Sequence, residues 1–179
     1  MLFYHVDRSK LLKPNQTINY LKLPSDSAHE ILSYCNNHFP NGLSNIGLIY
    51  TCSVNPPDFR YPTHTSEIFL ELYRQQHFPE LPSRFQSICA SDSIDQAINW
   101  YEQLNLQSAN MVTFESEEYI KVDATWRDLI AGNLNISTIE LWANNYWSGI
   151  VNMEVSRIEY LVKLPVKIKD VVLMDISCL

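Results

Sequence analysis

The sequence predicts an α+β fold that forms one domain over residues 1–179. Short β-rich runs and helix-like segments are interspersed along the chain, without the regular strand–helix alternation of a doubly wound sheet. The chain has no internal repeat or shift in composition, and it is long enough to bury a substantial core. Its apolar fraction of 46% and charged fraction of 18% are typical of a globular protein.

The first half of the chain is predicted to contain two short strands, two helices and a long irregular stretch. In order, these are a strand at residues 1–6, a turn at Lys13-Pro14-Asn15, a helix capped by Ser25 or Ser27 and ending near Asn36, a loop over 40–63, and a helix from Ser66 through His77. A short strand at Gly47–Cys52 is expected within the loop. In the second helix, the apolar residues at helical spacing are Ile68, Phe69, Leu72 and Tyr73.

The second half is predicted to be richer in strands. In order, we expect a strand over 84–90, a helix opened by the capping box Ser93–Gln96 and ending near Leu104, a hairpin over 111–122, a helix from about Ala124 that stops at Gly132, a helix opened by the capping box Ser137–Glu140 and ending at Tyr146, and strands at 155–163 and 166–176.

Charge and composition exclude several classes of function. The net charge of −7 argues against sequence-independent binding to nucleic acid, and the 4 glycines form no phosphate-binding loop. The cysteines form no C-x-x-C pair and lie at no zinc-ligand spacing, so no metal site is expected; they are Cys35, Cys52, Cys89 and Cys178. Neither a signal peptide nor a membrane span is evident, which predicts a cytoplasmic protein, although export by a dedicated secretion system would leave the same pattern.

Two segments near the ends of the chain place a chemically capable side chain within an apolar, strand-like run. The first is Phe3-Tyr4-His5-Val6, and the second is Ile158-Glu159-Tyr160-Leu161-Val162. His5 and Glu159 can share one cleft only if the fold brings these two strands together. This pairing is the main functional signal in the sequence.

The first segment, with the Leu12-Lys13-Pro14-Asn15 turn that follows it, resembles the opening strand of small bacterial ADP-ribosyltransferases. The rifampin-inactivating enzymes and the related RNA 2′-phosphotransferases open in this way. The resemblance implies split antiparallel β-sheets with flanking helices, and NAD as the cofactor. It also implies transfer of ADP-ribose to an acceptor, for which a protein is the first expectation, in a toxin, effector or defence factor.

The family's three motifs can be carried over to His5, Ser87 and Glu159. The resemblance makes His5 the residue that anchors the NAD ribose, although Val6 and Asp7 replace the family's usual Gly and Thr or Ser. Ser87 matches the second motif, with Ser91 as the fallback, and Glu159 matches the catalytic glutamate of the third. Further cofactor contacts are expected from residues close to these motifs, Tyr4, Arg8 and Arg84.

Three short segments also resemble a little-studied bacterial domain family. They are Pro82-Ser83-Arg84, Tyr146-Trp147-Ser148-Gly149 and Glu159-Tyr160-Leu161. This resemblance by itself implies no activity.

The chemistry of NAD cleavage explains why such residues are needed. Breaking the bond between ribose and nicotinamide builds positive charge on the ribose, as in glycoside cleavage. A fixed carboxylate at Glu159 would stabilise that charge, while His5 and Ser87 would hold the substrate. Because nicotinamide leaves without a protein nucleophile, no Ser-His-Asp arrangement is required.

Structural interpretations remain open beside the functional ones. His5 fits a half-buried structural histidine, Glu159 a solvent-facing residue of an alternating strand, and Arg84 a surface or turn-anchoring residue. The alternative function is a non-enzymatic interaction or inhibitor protein on a degenerate form of the fold. Transfer of a phosphate from RNA to NAD is disfavoured because no Arg and Lys cluster is evident.

Overall fold

The computed structural model describes residues 1–52, 63–103, 108–132 and 135–175, and it confirms the α+β class. The strands are β1 (Leu2–Asp7), β2 (Thr17–Ile18), β3 (Ser87–Ala90), β4 (Ser108–Glu115), β5 (Tyr119–Asp123), β6 (Ile158–Lys163) and β7 (Val166–Asp175). The helices are α1 (His29–His38), α2 (Asn45–Cys52), α3 (Thr63–His77), α4 (Ile94–Gln103), α5 (Ala124–Ala131) and α6 (Ile136–Trp147). None of the helices in these ranges is long and apolar enough to cross a membrane.

The strands form two antiparallel sheets. The larger sheet has the order β1-β4-β7-β2, and the smaller sheet has the order β3-β6-β5. The two sheets meet where Tyr4 and Ser91 exchange backbone hydrogen bonds of 2.9 and 2.8 Å. This junction places the middle of β1 beside the end of β3.

The predicted hairpin over residues 111–122 is wrong, although both of its strands exist. β4 pairs with β1 and β7 in the larger sheet, whereas β5 pairs with β6 in the smaller one. Strand propensity is a local property of the sequence, but the choice of partner depends on residues far away along the chain. The short connection between β4 and β5 therefore crosses from one sheet to the other.

The core has two main parts, one on each side of the smaller sheet. Between the sheets lie Phe3, Ile88, Val112, Phe114, Tyr160, Val162 and Ile168. On the opposite face, α3, α5 and α6 cover the smaller sheet with Leu70, Val122, Ile130, Ala143, Tyr146, Trp147 and Leu161. Alternate residues of β6 therefore point into different parts of the core.

The predicted helix ends have mixed outcomes. The Ser93 cap of α4 is confirmed, since its Oγ accepts from the Gln96 backbone N–H at 3.3 Å. Gly132 directly follows α5, as predicted. The cap of α6 is Asn135 rather than Ser137, since Asn135 Oδ1 accepts from the Ser137 N–H at 3.1 Å. An asparagine caps as well as a serine, so both residues fit the pattern.

The predicted strand at Gly47–Cys52 is wrong, because these residues belong to α2. Ser44 Oγ accepts from the Gly47 N–H at 3.1 Å and caps this helix. A β-carbon on Gly47 would lie 2.3 Å from the Phe85 carbonyl oxygen, so only glycine lets α2 pack this closely. The remainder of the predicted loop, residues 53–62, lies outside the described residues.

Two other elements differ from the prediction. Arg84–Gln86 form a 3₁₀ turn, and the strand begins only at Ser87. On α3, the predicted apolar residues divide: Phe69 and Tyr73 pack partly buried against the core, whereas Ile68 and Leu72 are 43% and 46% exposed. The face that packs inward carries Ser66, Glu67, Leu70, Glu71 and Arg74. It is largely polar, and it supplies part of the site.

Candidate functional site

Glu159 lies on β6, on the face of the smaller sheet that packs against the helices. Its neighbour Tyr160 points the other way, and its ring centroid lies 5.4 Å from that of Phe3. Glu159 is only 4% exposed. The interpretation of Glu159 as a solvent-facing residue is therefore wrong, and a buried carboxylate requires partners.

Arg84 provides the main partner for Glu159. Its guanidinium is buried, and Nη1 donates to Glu159 Oε1. Nε and Nη2 donate to the two carboxylate oxygens of Glu67 at 2.7 and 3.0 Å. The hydroxyl of Tyr146 also donates to Glu159 Oε1, at 2.9 Å. Arg84 thus joins two carboxylates from α3 and β6, and the interpretation of Arg84 as a surface residue is wrong.

A second arginine extends this arrangement towards the surface. Arg127 Nη1 lies 3.6 Å from Glu67 Oε1 and 3.9 Å from Glu159 Oε2. Its Nη2 lies 2.9 Å from Asp128 Oδ1, and Asp128 also pairs with Arg157. We call these six residues the charged network: Glu67, Arg84, Arg127, Asp128, Arg157 and Glu159. The charges of the three carboxylates balance those of the three guanidinium groups. The exposed fraction of the side chain rises from Arg84 through Arg127 to Asp128.

The charges in this network depend on one another. Burial by itself raises the pKa of Glu159, but Arg84 and then Arg127 outweigh it and hold that pKa below its usual value. Burial opposes the charge of Arg84, yet Glu159 and Glu67 raise its pKa well above the usual value. The pKa of Tyr146 is raised well above its usual value, chiefly by burial. At neutral pH, Glu159 is therefore a carboxylate and Tyr146 a neutral donor.

His5 lies at the junction of the two sheets and is half-buried. Its Nδ1 donates to the carbonyl oxygen of Cys89 on β3 at 2.8 Å. Burial lowers the pKa of His5, although this hydrogen bond and Asp7 act in the opposite direction. The ring is therefore neutral at pH 7, and Nε2 can accept a hydrogen bond.

The other predicted site residues have different surroundings. Ser87 is buried, and its Oγ donates to the Ser83 carbonyl oxygen at 2.7 Å, which holds the 3₁₀ turn. Tyr4 and the fallback Ser91 pair through their backbones. Arg8 is exposed in the turn after β1.

The structure brings together only some of the predicted residues. Arg84 and Glu159 are in direct contact. His5 touches the backbone of β3, and none of the described contacts joins it to Glu159. Phe3, two residues before His5 on β1, packs on the face of β6 opposite Glu159. The smaller sheet therefore lies between His5 and Glu159.

Comparison with known families gives a match over nearly the whole chain. A family model described as "Protein of unknown function (DUF2441)" matches residues 3–174. The chain belongs to the DUF2441 family. No curated protein matches it. All six residues of the charged network fall within the matched region.

The sequence of this DUF2441 chain did not lead us to Glu67, the second carboxylate on Arg84, or to Arg127, which lies near both carboxylates. One signal was present on α3, where Glu67, Glu71 and Arg74 are separated by helical spacings. Polar residues that recur on one helical face, with Leu70 among them, indicate a buried polar face. No comparable signal marks Arg127.

Glu71 and Arg74, at the C-terminal end of the polar face of α3, bind the segment that leads to Arg84. Arg74 Nη2 donates to Glu71 Oε1 at 2.7 Å, and Ser83 Oγ donates to Glu71 Oε2 at 2.7 Å. Arg74 Nη1 also donates to the Pro79 and Leu81 carbonyl oxygens at 3.3 and 3.0 Å. In this DUF2441 chain, α3 thus positions the turn that carries Arg84.

Proposed function

We propose that the protein is an NAD-dependent mono-ADP-ribosyltransferase that binds NAD beside His5, at the junction of the two sheets. One observation carries this proposal: the His5 ring is fixed by the Cys89 carbonyl and is neutral, with Nε2 left as an acceptor. A neutral imidazole held in one tautomer is suited to accept a hydrogen bond from a ribose hydroxyl. The resemblance of the first segment to ADP-ribosyltransferases assigns this same role to the histidine.

Further features support binding of a dinucleotide at this place. Arg8 is exposed in the turn directly after β1, and a guanidinium is suited to a diphosphate. Asp7 shapes this turn, since its carboxylate accepts from the Ser9 and Leu12 backbone N–H groups, both at 3.0 Å. The split arrangement of two antiparallel sheets agrees with the expected fold. We place the protein in the cytoplasm, with a protein as the acceptor.

The proposed role of Glu159 is to stabilise positive charge on the ribose. The carboxylate is ionised at neutral pH, as this role requires. In the structure, however, Glu159 is 4% exposed and held by Arg84. Glu159 also lies on the face of β6 opposite the one that Phe3 of β1 contacts. Catalysis at His5 therefore requires NAD binding to displace β6 so that the carboxylate reaches the ribose, and Glu67 would keep Arg84 paired as Glu159 is released.

A second function is favoured by the same burial. If Glu159 never leaves Arg84, the protein is a non-enzymatic interaction protein on this scaffold. The exposed apolar residues between α6 and β6 provide contact area for a protein partner, since Met153 is 95% and Val155 is 64% exposed.

Calorimetry with NAD, combined with an assay of nicotinamide release, tests the proposal. The variants are His5→Ala, Glu159→Gln and the control His29→Ala, which changes an exposed histidine of α1. We expect His5→Ala to abolish binding and His29→Ala to retain it. Glu159→Gln should bind NAD but release nicotinamide about 100-fold more slowly.

Two results would overturn the proposal. One is a folded wild-type protein that does not bind NAD at millimolar concentration, which would leave the interaction protein. The other is full nicotinamide release by Glu159→Gln, which would remove Glu159 from the chemistry. Circular dichroism of each variant shows whether a lost activity reflects unfolding.

A further inference from the structure

A pocket of about 150 Å³ lies between α4 and the start of β6, outside the sheet junction. Its walls are Gln96, Asn99, Trp100, Ser156, Arg157 and Ile158. These residues offer two amides, a hydroxyl, a guanidinium and a small apolar wall. This composition suits a small polar ligand.

One wall of the pocket carries the guanidinium of Arg157. The guanidinium of Arg157 lies over the Trp100 ring, 4.8 Å from its centroid, and pairs with Asp128. Asp128 also pairs with Arg127, so two arginines share one carboxylate. Burial and then the Arg127 guanidinium lower the pKa of Arg157. Glu159 and Asp123 act in the opposite direction, and an anion in the pocket would add to their effect on Arg157.

The lining of the pocket also includes an unsatisfied acceptor. Gln96 Oε1 is buried and has no hydrogen-bond partner within the described part of the chain. A buried acceptor that lacks a donor is destabilising, so a ligand that supplies the donor gains affinity. Because the terminal amide turns easily about its last torsion, this oxygen can meet a donor that enters the pocket.

We propose that this pocket binds a small carboxylate that carries a hydroxyl or amino group on the adjacent carbon. The carboxylate pairs with Arg157, the hydroxyl or amino group donates to Gln96 Oε1, and a short alkyl group lies against Ile158. A phosphate matches this site less well, because it brings further acceptors towards an acceptor oxygen. The proposal is independent of NAD binding at His5.

Four probes of similar size separate these contributions. L-lactate has both groups, propionate lacks the hydroxyl, L-lactamide lacks the charge, and inorganic phosphate is a general anion. We expect L-lactate to bind roughly tenfold more tightly than propionate or L-lactamide, since each of these loses one interaction. Calorimetry gives the affinities. The indole N–H resonance of Trp100 should shift with lactate, while that of Trp147, which is bonded to the Leu70 carbonyl at 2.9 Å, should not.

Variants assign the binding to the pocket. Gln96→Met should weaken lactate to the level of propionate and leave propionate unchanged, an effect that simple destabilisation would not produce. Arg157→Gln should abolish binding of both, whereas Lys121→Gln, which removes a positive charge from exposed β5, should have no effect.

Three results would overturn the proposal. They are equal affinity for lactate and propionate, phosphate binding as tightly with the same Trp100 shift, and no lactate binding at millimolar concentration. If a variant fails to fold, the comparison of the four probes on the wild-type protein still decides.

Discussion

Removing Arg84 should destabilise the protein strongly, and more so at high pH. The substitution Arg84→Met keeps the length of the side chain but leaves Glu67 and Glu159 without their shared guanidinium. Removing one partner of a buried ion pair costs about 3–5 kcal/mol. Arg127 lies 3.6 and 3.9 Å from the two carboxylates and compensates in part, so we expect a loss of about 3 kcal/mol.

The pH dependence provides a second signature. In the wild type, the pKa of Glu159 lies below its ordinary value of 4.5, so its contribution to stability is complete above that value and is lost only as the pH falls through the lowered pKa. Without Arg84, burial remains and raises the pKa of Glu159. The free energy of unfolding of the variant therefore falls further below that of the wild type as the pH rises. We expect the stability gap to narrow by about 1 kcal/mol or more between roughly pH 8 and pH 5.

Urea unfolding and thermal melts at both pH values measure this effect. For a chain of 179 residues, a loss of about 3 kcal/mol lowers the Tm by roughly 8 °C. Lys163→Met is the control, since it breaks the 2.8 Å pair with Glu118, in which the side chains are 47% and 70% exposed. It should cost less than about 1 kcal/mol. Adding Glu159→Gln to Arg84→Met should recover part of the loss.

Two results would refute this reasoning. A loss below about 1 kcal/mol would mean that the buried pair contributes no more than a surface pair. An equal loss at both pH values would mean that the carboxylates do not carry the uncompensated charge.

Two further predictions concern packing and His5. Gly47→Ala should destabilise the protein by about 2 kcal/mol or more in urea unfolding, because the new β-carbon would lie 2.3 Å from the Phe85 carbonyl oxygen. The control Gly132→Ala, whose β-carbon would have nothing within 4 Å, should be neutral or slightly stabilising. Equal effects of the two substitutions would contradict the close packing of α2 on Phe85. In an NMR titration, the pKa of His5 should lie below its ordinary value of 6.5. The folded state then binds this proton less readily than the unfolded state does, so His5 should lower the stability of the protein as the pH falls below 6.5. A midpoint at or above 6.5 would show that burial is not the dominant influence.

The elements that the sequence predicted correctly are those with local signals. Ser93 caps α4 and Gly132 ends α5, because each acts on residues within one helical turn. The apolar run at Gly47–Cys52 was misassigned because β-branched and aromatic residues favour a strand, whereas the Ser44 cap and the packing of Gly47 on Phe85 favour a helix. The second of these contacts is not local, so the sequence pattern does not reveal it.

At the site, too, the sequence reveals local features but not long-range contacts. His5 and Glu159 stand out in the sequence as polar residues within apolar strands. Arg84 also stands out, but as a cofactor contact, whereas Glu67 does not. The sequence does not reveal that these residues pair, since Glu67 and Arg84 lie 17 residues apart along the chain, and Arg84 and Glu159 lie 75 apart. Only the tertiary fold brings these charges together, and it determines whether a carboxylate in a strand faces solvent or a buried guanidinium.

The positions of β6 and β7 have a consequence for biosynthesis. β6 is the middle strand of the smaller sheet, and β7 lies between β4 and β2 in the larger one. During translation, β3 and β5 have no strand to pair with, and β2 cannot join the larger sheet, until residues 158–175 leave the ribosome. Both sheets therefore stay incomplete until this segment has emerged, and until then the nascent chain exposes strand edges.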